Sequence, residues 1–216
     1  MNLVKIAVAS AALAFALPAN AAVVLSIPGG TVYEMPVTNA FGDGPSVFGN
    51  NITWTSTTSN SVFGYTNGYF FNDNGNWQGL PAMAGLNTSF GSMTFTLDKD
   101  VSAVGGIINW AKAGQAYQNA SMSIFNSSNV LLETFSLMNG ATNQVTPDSF
   151  YGFSRAQGDI RSFVVSDSFI GLRSLTVDAV APVPEPATWM LMLIGMAGVG
   201  YSMRRKGKQT LRVRFA

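Results

Sequence analysis

Cysteine and histidine are both absent from the 216 residues. Without cysteine there is no disulfide framework, so stability outside a cell has to come from packing alone. Without histidine the chain lacks the usual general base near neutral pH and the commonest metal ligand. Together the two absences exclude histidine-dependent triads, thiol nucleophiles and ordinary zinc sites. Carboxylate chemistry stays open in principle, but a glycoside hydrolase needs two acids roughly 5–9.5 Å apart, and no spacing selects such a pair. The chain is therefore read as non-enzymatic, with no cofactor and no metal. Charge is scarce too, at 11% of residues, where soluble domains carry about 25%.

What is present is unevenly distributed. Ala22 to Val183 holds five basic and ten acidic residues, whereas everything from Arg204 onward holds six basic and none acidic. An acidic body with few cations has no electrostatic footprint for nucleic acid. The apolar weight gathers at the two ends, and the middle is rich in Gly, Ser, Thr and Asn.

Residues 1–21 have the organisation of a secretory signal peptide. Lys5 is the positive start, Ile6 to Leu17 the apolar run and Pro18 the breaker. Ala19-Asn20-Ala21 is then the small-x-small pattern of signal peptidase, with the cut before Ala22. At the other end, 187–203 is uncharged. As a helix it would be about 25 Å long, slightly short of a bilayer core of about 30 Å. Trp189 and Tyr201 stand near its ends, and Arg204, Arg205 and Lys206 follow at once. Aromatic rings favour the interface, long cationic stems extend the span, and the positive-inside rule keeps residues 204–216 cytoplasmic. A core helix fits poorly, because the run has no polar face and its cations abut one side only.

Ahead of this span stands Val183-Pro184-Glu185-Pro186-Ala187-Thr188-Trp189. The order of Pro184, Glu185 and Pro186, a short spacer, Trp189, an apolar span with glycines, then Arg204 and Arg205 resembles the PEP-CTERM sorting signal, in its Pro-Glu-Pro-x-x-Trp variety. Met190 stands where that variety most often has Ala, and the chain continues past the basic cluster to Ala216. The resemblance implies recognition by exosortase, a membrane cysteine protease of Gram-negative bacteria that make extracellular polysaccharide. It also implies removal of the C-terminal helix and release of the body to the cell surface or extracellular matrix. The prolines agree with this in physical terms. They fix φ and lack donors, so residues 182–186 form an extended linker, open to a protease, that cannot join the helix behind it.

Residues 22–181 read as strands, with short runs of Val, Ile, Thr and Phe punctuated by Gly, Asn, Asp and Ser. No sustained helical period interrupts them. The expected architecture is all-β, an antiparallel two-sheet sandwich of jelly-roll-like form. Met93–Leu97 is expected to turn at Asp98-Lys99-Asp100 and resume at Val101. Ser121–Phe125 turns through Asn126–Asn129 into Val130–Leu137, and Asn67-Gly68 carries a hairpin signal between Tyr65 and Phe70. Arg161–Ser166 and Leu172–Val180 close the domain.

Within the body the candidate sites are few. Asn72-Asp73-Asn74-Gly75-Asn76 has oxygen ligands around a glycine, but too few carboxylates for a true calcium loop. Trp54, Trp77 and Trp110, with Tyr65, Tyr69 and Tyr117, are candidates for a platform on which sugar rings stack; core aromatics are the competing reading. The sequence thus points to an exported surface or matrix protein with a structural or adhesive role in exopolysaccharide or biofilm. The alternative is a secreted carbohydrate-binding module with a defined glycan ligand. The expected partners are the membrane, signal peptidase, exosortase and extracellular polysaccharide.

Overall fold

The computed structural model describes residues 21–111, 119–137, 148–178 and 192–200. The body, Ala19–Pro182, forms one compact unit. Among the described residues all sheet pairings are antiparallel, as expected of an all-β chain.

Six strands make the first sheet: β4 (Ser46–Phe48), β5 (Ile52–Ser56), β10 (Ser92–Val101), β12 (Ser121–Phe125), β13 (Leu131–Ser136) and β15 (Ile160–Ser166). Their spatial order is β13-β12-β15-β10-β5-β4. Period-2 alternation puts Met93, Phe95 and Leu97 of β10 inside and leaves Thr94 and Thr96 on the other face. The register aligns these inner positions across the sheet. Trp54 lies opposite Phe95, Phe95 opposite Phe163, and Phe163 opposite Ile124. One buried row therefore crosses four strands, each member packing on the next.

The second sheet contains β1 (Ala22–Val24), β2 (Thr31–Tyr33), β3 (Ala40–Phe41), β6 (Ser61–Tyr65), β9 (Met83–Leu86), β11 (Ala103–Asn109), β14 (Ser149–Ser154) and β16 (Gly171–Asp178). Its order is β1-β14-β11-β16-β9-β6-β3, and β2 shares one side of β16 with β9. Rings join the two sheets face to face. Phe63 of β6 lies 5.1 Å from Trp54 and 5.6 Å from Phe48, and Phe153 of β14 lies 6.5 Å from Phe163. Consecutive strands repeatedly change sheet, as β9, β10, β11 and β12 do in turn.

The second sheet is covered on its outer face as well. Val62, Met83 and Ile107 belong to a separate apolar cluster, while their chain neighbours Phe63, Ala84 and Ile108 point into the sandwich core. The cover is the hairpin of β7 (Tyr69–Phe70) and β8 (Asn76–Trp77), which contributes Tyr69, Phe71 and Trp77. Gly85 and Gly171, paired across β9 and β16, leave the room these rings need: a Cβ would lie 2.5 Å and 2.8 Å from the Met83 methyl, respectively.

Two local expectations are corrected. The Asn67-Gly68 signal does not join β6 to the next strand, because β6 already pairs with β3 on one side and β9 on the other. The chain instead leaves the sheet and turns at Asn72–Gly75, where Gly75 N donates to Asn72 O at 3.0 Å. Nor does Asp98-Lys99-Asp100 turn. β10 runs through it with a register shift between Thr96 and Val101, and Arg161 Nε on β15 holds Asp100 Oδ1 at 2.8 Å. The chain changes sheet only at Ser102. The Asn126–Asn129 turn forms as expected. Asn126 Oδ1 accepts from Ser128 N at 3.0 Å and Val130 N at 2.9 Å, the Asx geometry that makes asparagine a turn residue.

Candidate functional site

The three tryptophans named for a sugar platform are all inside, at 1% exposure for Trp54, 6% for Trp77 and 3% for Trp110. Their surroundings give each a packing role. Trp54 lies in the row between the sheets. Trp110 follows β11, and its carbonyl accepts from Asn74 Nδ2 at 2.7 Å. Trp77 fastens the hairpin: its Nε1 donates to Asp148 Oδ1 at 3.0 Å, and Arg173 stacks 4.4 Å above its ring while bonding the same oxygen at 2.8 Å. With no ring face exposed, these residues offer no stacking surface. Rings this large contribute more to stability when they are removed from water.

Among the described residues the most exposed aromatics are Phe41, Phe70 and Phe90, the last of which lies away from the groove that the other two share. Phe41 on β3 and Phe70 on β7 are 65% and 69% exposed, and both line one groove of about 310 Å³ with Tyr65, Asn72, Asn87 and Phe169. The groove lies where the outer hairpin approaches the β3–β6 edge of the second sheet. Each ring is held by its backbone. Phe41 pairs with Val62 and packs edge-on to Tyr65 at 5.6 Å, while Phe70 pairs with Asn76 between buried Tyr69 and Phe71. Asn39, at φ 47°, fixes the approach to β3 by accepting from Thr66 N at 2.8 Å. Beneath the groove the Tyr69 hydroxyl donates to the Leu86 carbonyl. Burial, and secondarily the neighbouring Tyr65, push its ionisation well above the ordinary tyrosine value. The expected platform included Tyr65 and Tyr69 but missed Phe41 and Phe70. Alternation alone was a usable signal for Phe70, since a ring between two buried rings in a strand faces the opposite side.

A second, larger cleft of about 570 Å³ is lined by Tyr33, Asn50, Asn51, Asp98, Lys99 and Asp178 among others, and so mixes both signs of charge. The segment Asn72–Asn76, considered for calcium, is the hairpin turn. Its Asn74 amide donates to Trp110, and its Asn74 carbonyl accepts from Asn109 Nδ2 at 3.0 Å. Among the described residues no group of three His, Cys, Asp or Glu side chains could hold a metal ion.

Of the residues named for export and sorting, Ala19, Pro184, Glu185, Pro186, Trp189, Arg204 and Arg205 lie outside the described residues, as does Tyr117. Ala21 is partly buried against the core, and Ala22 opens β1, opposite Ser154. Within the expected span of 187–203, residues 192–200 are helical and exposed; the other positions lie outside the described residues. Among the described residues no helix is long and apolar enough to cross a membrane.

A family model, the PEP-CTERM protein-sorting motif, matches residues 182–206. No curated protein matches the chain. The chain thus carries a PEP-CTERM sorting motif over its C-terminal segment, and the motif implies export through a precursor stage anchored at its C-terminus and processed by exosortase.

Proposed function

We propose that this is an exosortase-processed protein of the bacterial cell surface or extracellular matrix, non-catalytic, with a structural or adhesive role in exopolysaccharide or biofilm. The single observation that carries the reading is the sorting motif at residues 182–206. Residues 1–21 supply the route outward as a signal peptide cut before Ala22. The span of 187–203 then holds the precursor in the membrane, because the cations from Arg204 onward are too costly to transfer through hydrocarbon.

The body is suited to release. Its last described strand ends at Asp178, upstream of Pro184, so a cut within the motif removes none of the described strands. The N-terminal cut is constrained in time. Signal peptidase needs an extended, accessible Ala19–Ala21 segment, whereas in the folded body Ala21 packs against the core and Ala22 is paired with Ser154. Cleavage therefore precedes docking of β1.

Intact-mass measurement of the extracellular form tests both events together. The expected mass lacks residues 1–21 and the segment behind the Pro-Glu-Pro tripeptide. A Pro184→Ala/Glu185→Ala/Pro186→Ala variant should accumulate at the inner membrane with its C-terminus intact. A cytoplasmic protein with residues 1–21 still attached would refute the reading.

A further inference from the structure

We infer that the groove between the β7–β8 hairpin and the β3–β6 edge is a binding site for a neutral saccharide, with Phe41 and Phe70 as its stacking surfaces. The inference rests on the adhesive reading above and names the site and the ligand class.

Three observations converge on it. The first is the placing of the exposed rings. Phe41 and Phe70 are 65% and 69% exposed, although 35 hydrophobic side chains among the described residues are buried. Exposing a phenylalanine forgoes stabilisation that burial would supply. Here two such rings line a single concavity on well-fixed backbone, which removes the ordering cost that a flexible surface ring incurs on binding. The second is the chemistry between the rings. Asn72, Asn87 and Tyr65, whose side chains carry carboxamide and hydroxyl groups, are among the residues that line the same groove. Asn87 uses its Nδ2 on Asn60 Oδ1, at 2.9 Å. A pyranose ring has an apolar C–H face and a rim of hydroxyls that both donate and accept. Aromatic faces take the former, and amides and phenols, which also do both, take the latter.

The third observation is charge. No lining residue of the groove is charged. It is set in a body with ten acidic and five basic residues between Ala22 and Val183. Such a field repels a polyanion, and the groove has no cation to anchor one. Uronic-acid or sulfated chains are disfavoured and neutral chains are not. A volume of about 310 Å³ is at the small end of ligand sites, suiting a short stretch of one chain.

The test is affinity electrophoresis of the full chain, kept in a non-ionic detergent without a sugar headgroup. Gels are cast with dextran, a β-1,3-glucan or hydroxyethylcellulose, or with alginate as the anionic counterpart. Retardation is expected in at least one neutral gel; any retardation in alginate, coming from the six cations from Arg204 onward, should be unchanged by Phe41→Ala and Phe70→Ala. Phe41→Ala and Phe70→Ala should each weaken it about tenfold with the urea-unfolding midpoint unchanged, since neither ring is buried. Retardation of the wild type that both variants retain in full would overturn this site and leave polysaccharide adhesion standing. Retardation in alginate alone that Phe41→Ala and Phe70→Ala weaken would overturn the neutral ligand class. Mobility unchanged in every gel would overturn the site and the adhesive role together, while the processing reading stays with the intact-mass result.

Discussion

Replacing Gly64 by alanine should be among the most damaging single-atom additions to this body. Gly64 lies in β6 at φ 61°, within the register shift between Val62 and Tyr65. Left-handed backbone costs a non-glycine residue about 1–2 kcal/mol. The new Cβ would also lie 2.1 Å from the Pro36 carbonyl oxygen and 2.4 Å from Thr38 Oγ1, so the preceding loop must retreat by about 1 Å, an overpacking cost of about 1–3 kcal/mol. That retreat strains the bonds to Gly64 O from Thr38 N, 3.0 Å, and Asn39 N, 2.9 Å, which hold the approach to β3. The sum is about 2–5 kcal/mol, against a total stability of about 5–15 kcal/mol for a domain.

Urea unfolding of the full chain, followed by tryptophan fluorescence, measures this loss. With a slope near 2 kcal/mol per molar, the midpoint should fall by about 1–2.5 M. Gly79→Ala is the control. Gly79 has φ 76° but nothing within 4 Å of an added Cβ, so it bears the backbone cost alone. If Gly64→Ala shifted the midpoint no further than Gly79→Ala, the close approach of Pro36 and Thr38 would carry no energy and the reasoning would fail.

Other outcomes follow from particular contacts. Burial holds the Tyr69 proton above the ordinary value of 10.0, so the native state binds it more tightly than the unfolded chain does. Stability should be intact below about pH 10 and decline above it as unfolded Tyr69 ionises; equal declines in wild type and Tyr69→Phe between pH 8 and 11 would count against this. Trp54 Nε1 is buried with no hydrogen-bond partner among the described residues. Trp54→Phe should therefore cost less than about 2 kcal/mol and Trp54→Ala about 3–5 kcal/mol, and similar midpoints for the two would contradict the assignment. Asp159 bonds Arg155, which is 8% exposed, at 2.6 and 3.0 Å. Asp159→Ala should cost about 2–4 kcal/mol, and Arg155→Met/Asp159→Leu should recover most of it in the same denaturation assay.

Local signals in the sequence were reliable where the contacts that decide them are local. The Asn126–Asn129 turn formed because one asparagine side chain supplies two of its bonds within four residues. The alternation in Met93–Leu97 named the inner face of β10, because side-chain direction in a strand follows from the backbone alone. Asn67-Gly68 misled because a hairpin also needs a free strand edge, and β9 and β3 had taken both edges of β6. Asp98–Asp100 misled because Arg161, far along the chain, keeps that stretch extended.

The routing of the chain, by contrast, belongs to linear order. A membrane protease reads an extended segment, so the motif around Pro184-Glu185-Pro186 is carried by composition and spacing before any folding, and the signal peptide proposed for residues 1–21 would be read in the same way. Which aromatic rings face outward has no such linear record. Trp54 is buried because Phe63 and Phe95 meet it from two sheets, and Trp77 because a hairpin lays it against Arg173. Phe41 and Phe70 share a groove only because β3 and β7, distant in pairing, end on the same side of the second sheet. Exposure is a property of what packs on a residue, and that is settled by pairings dozens of residues apart.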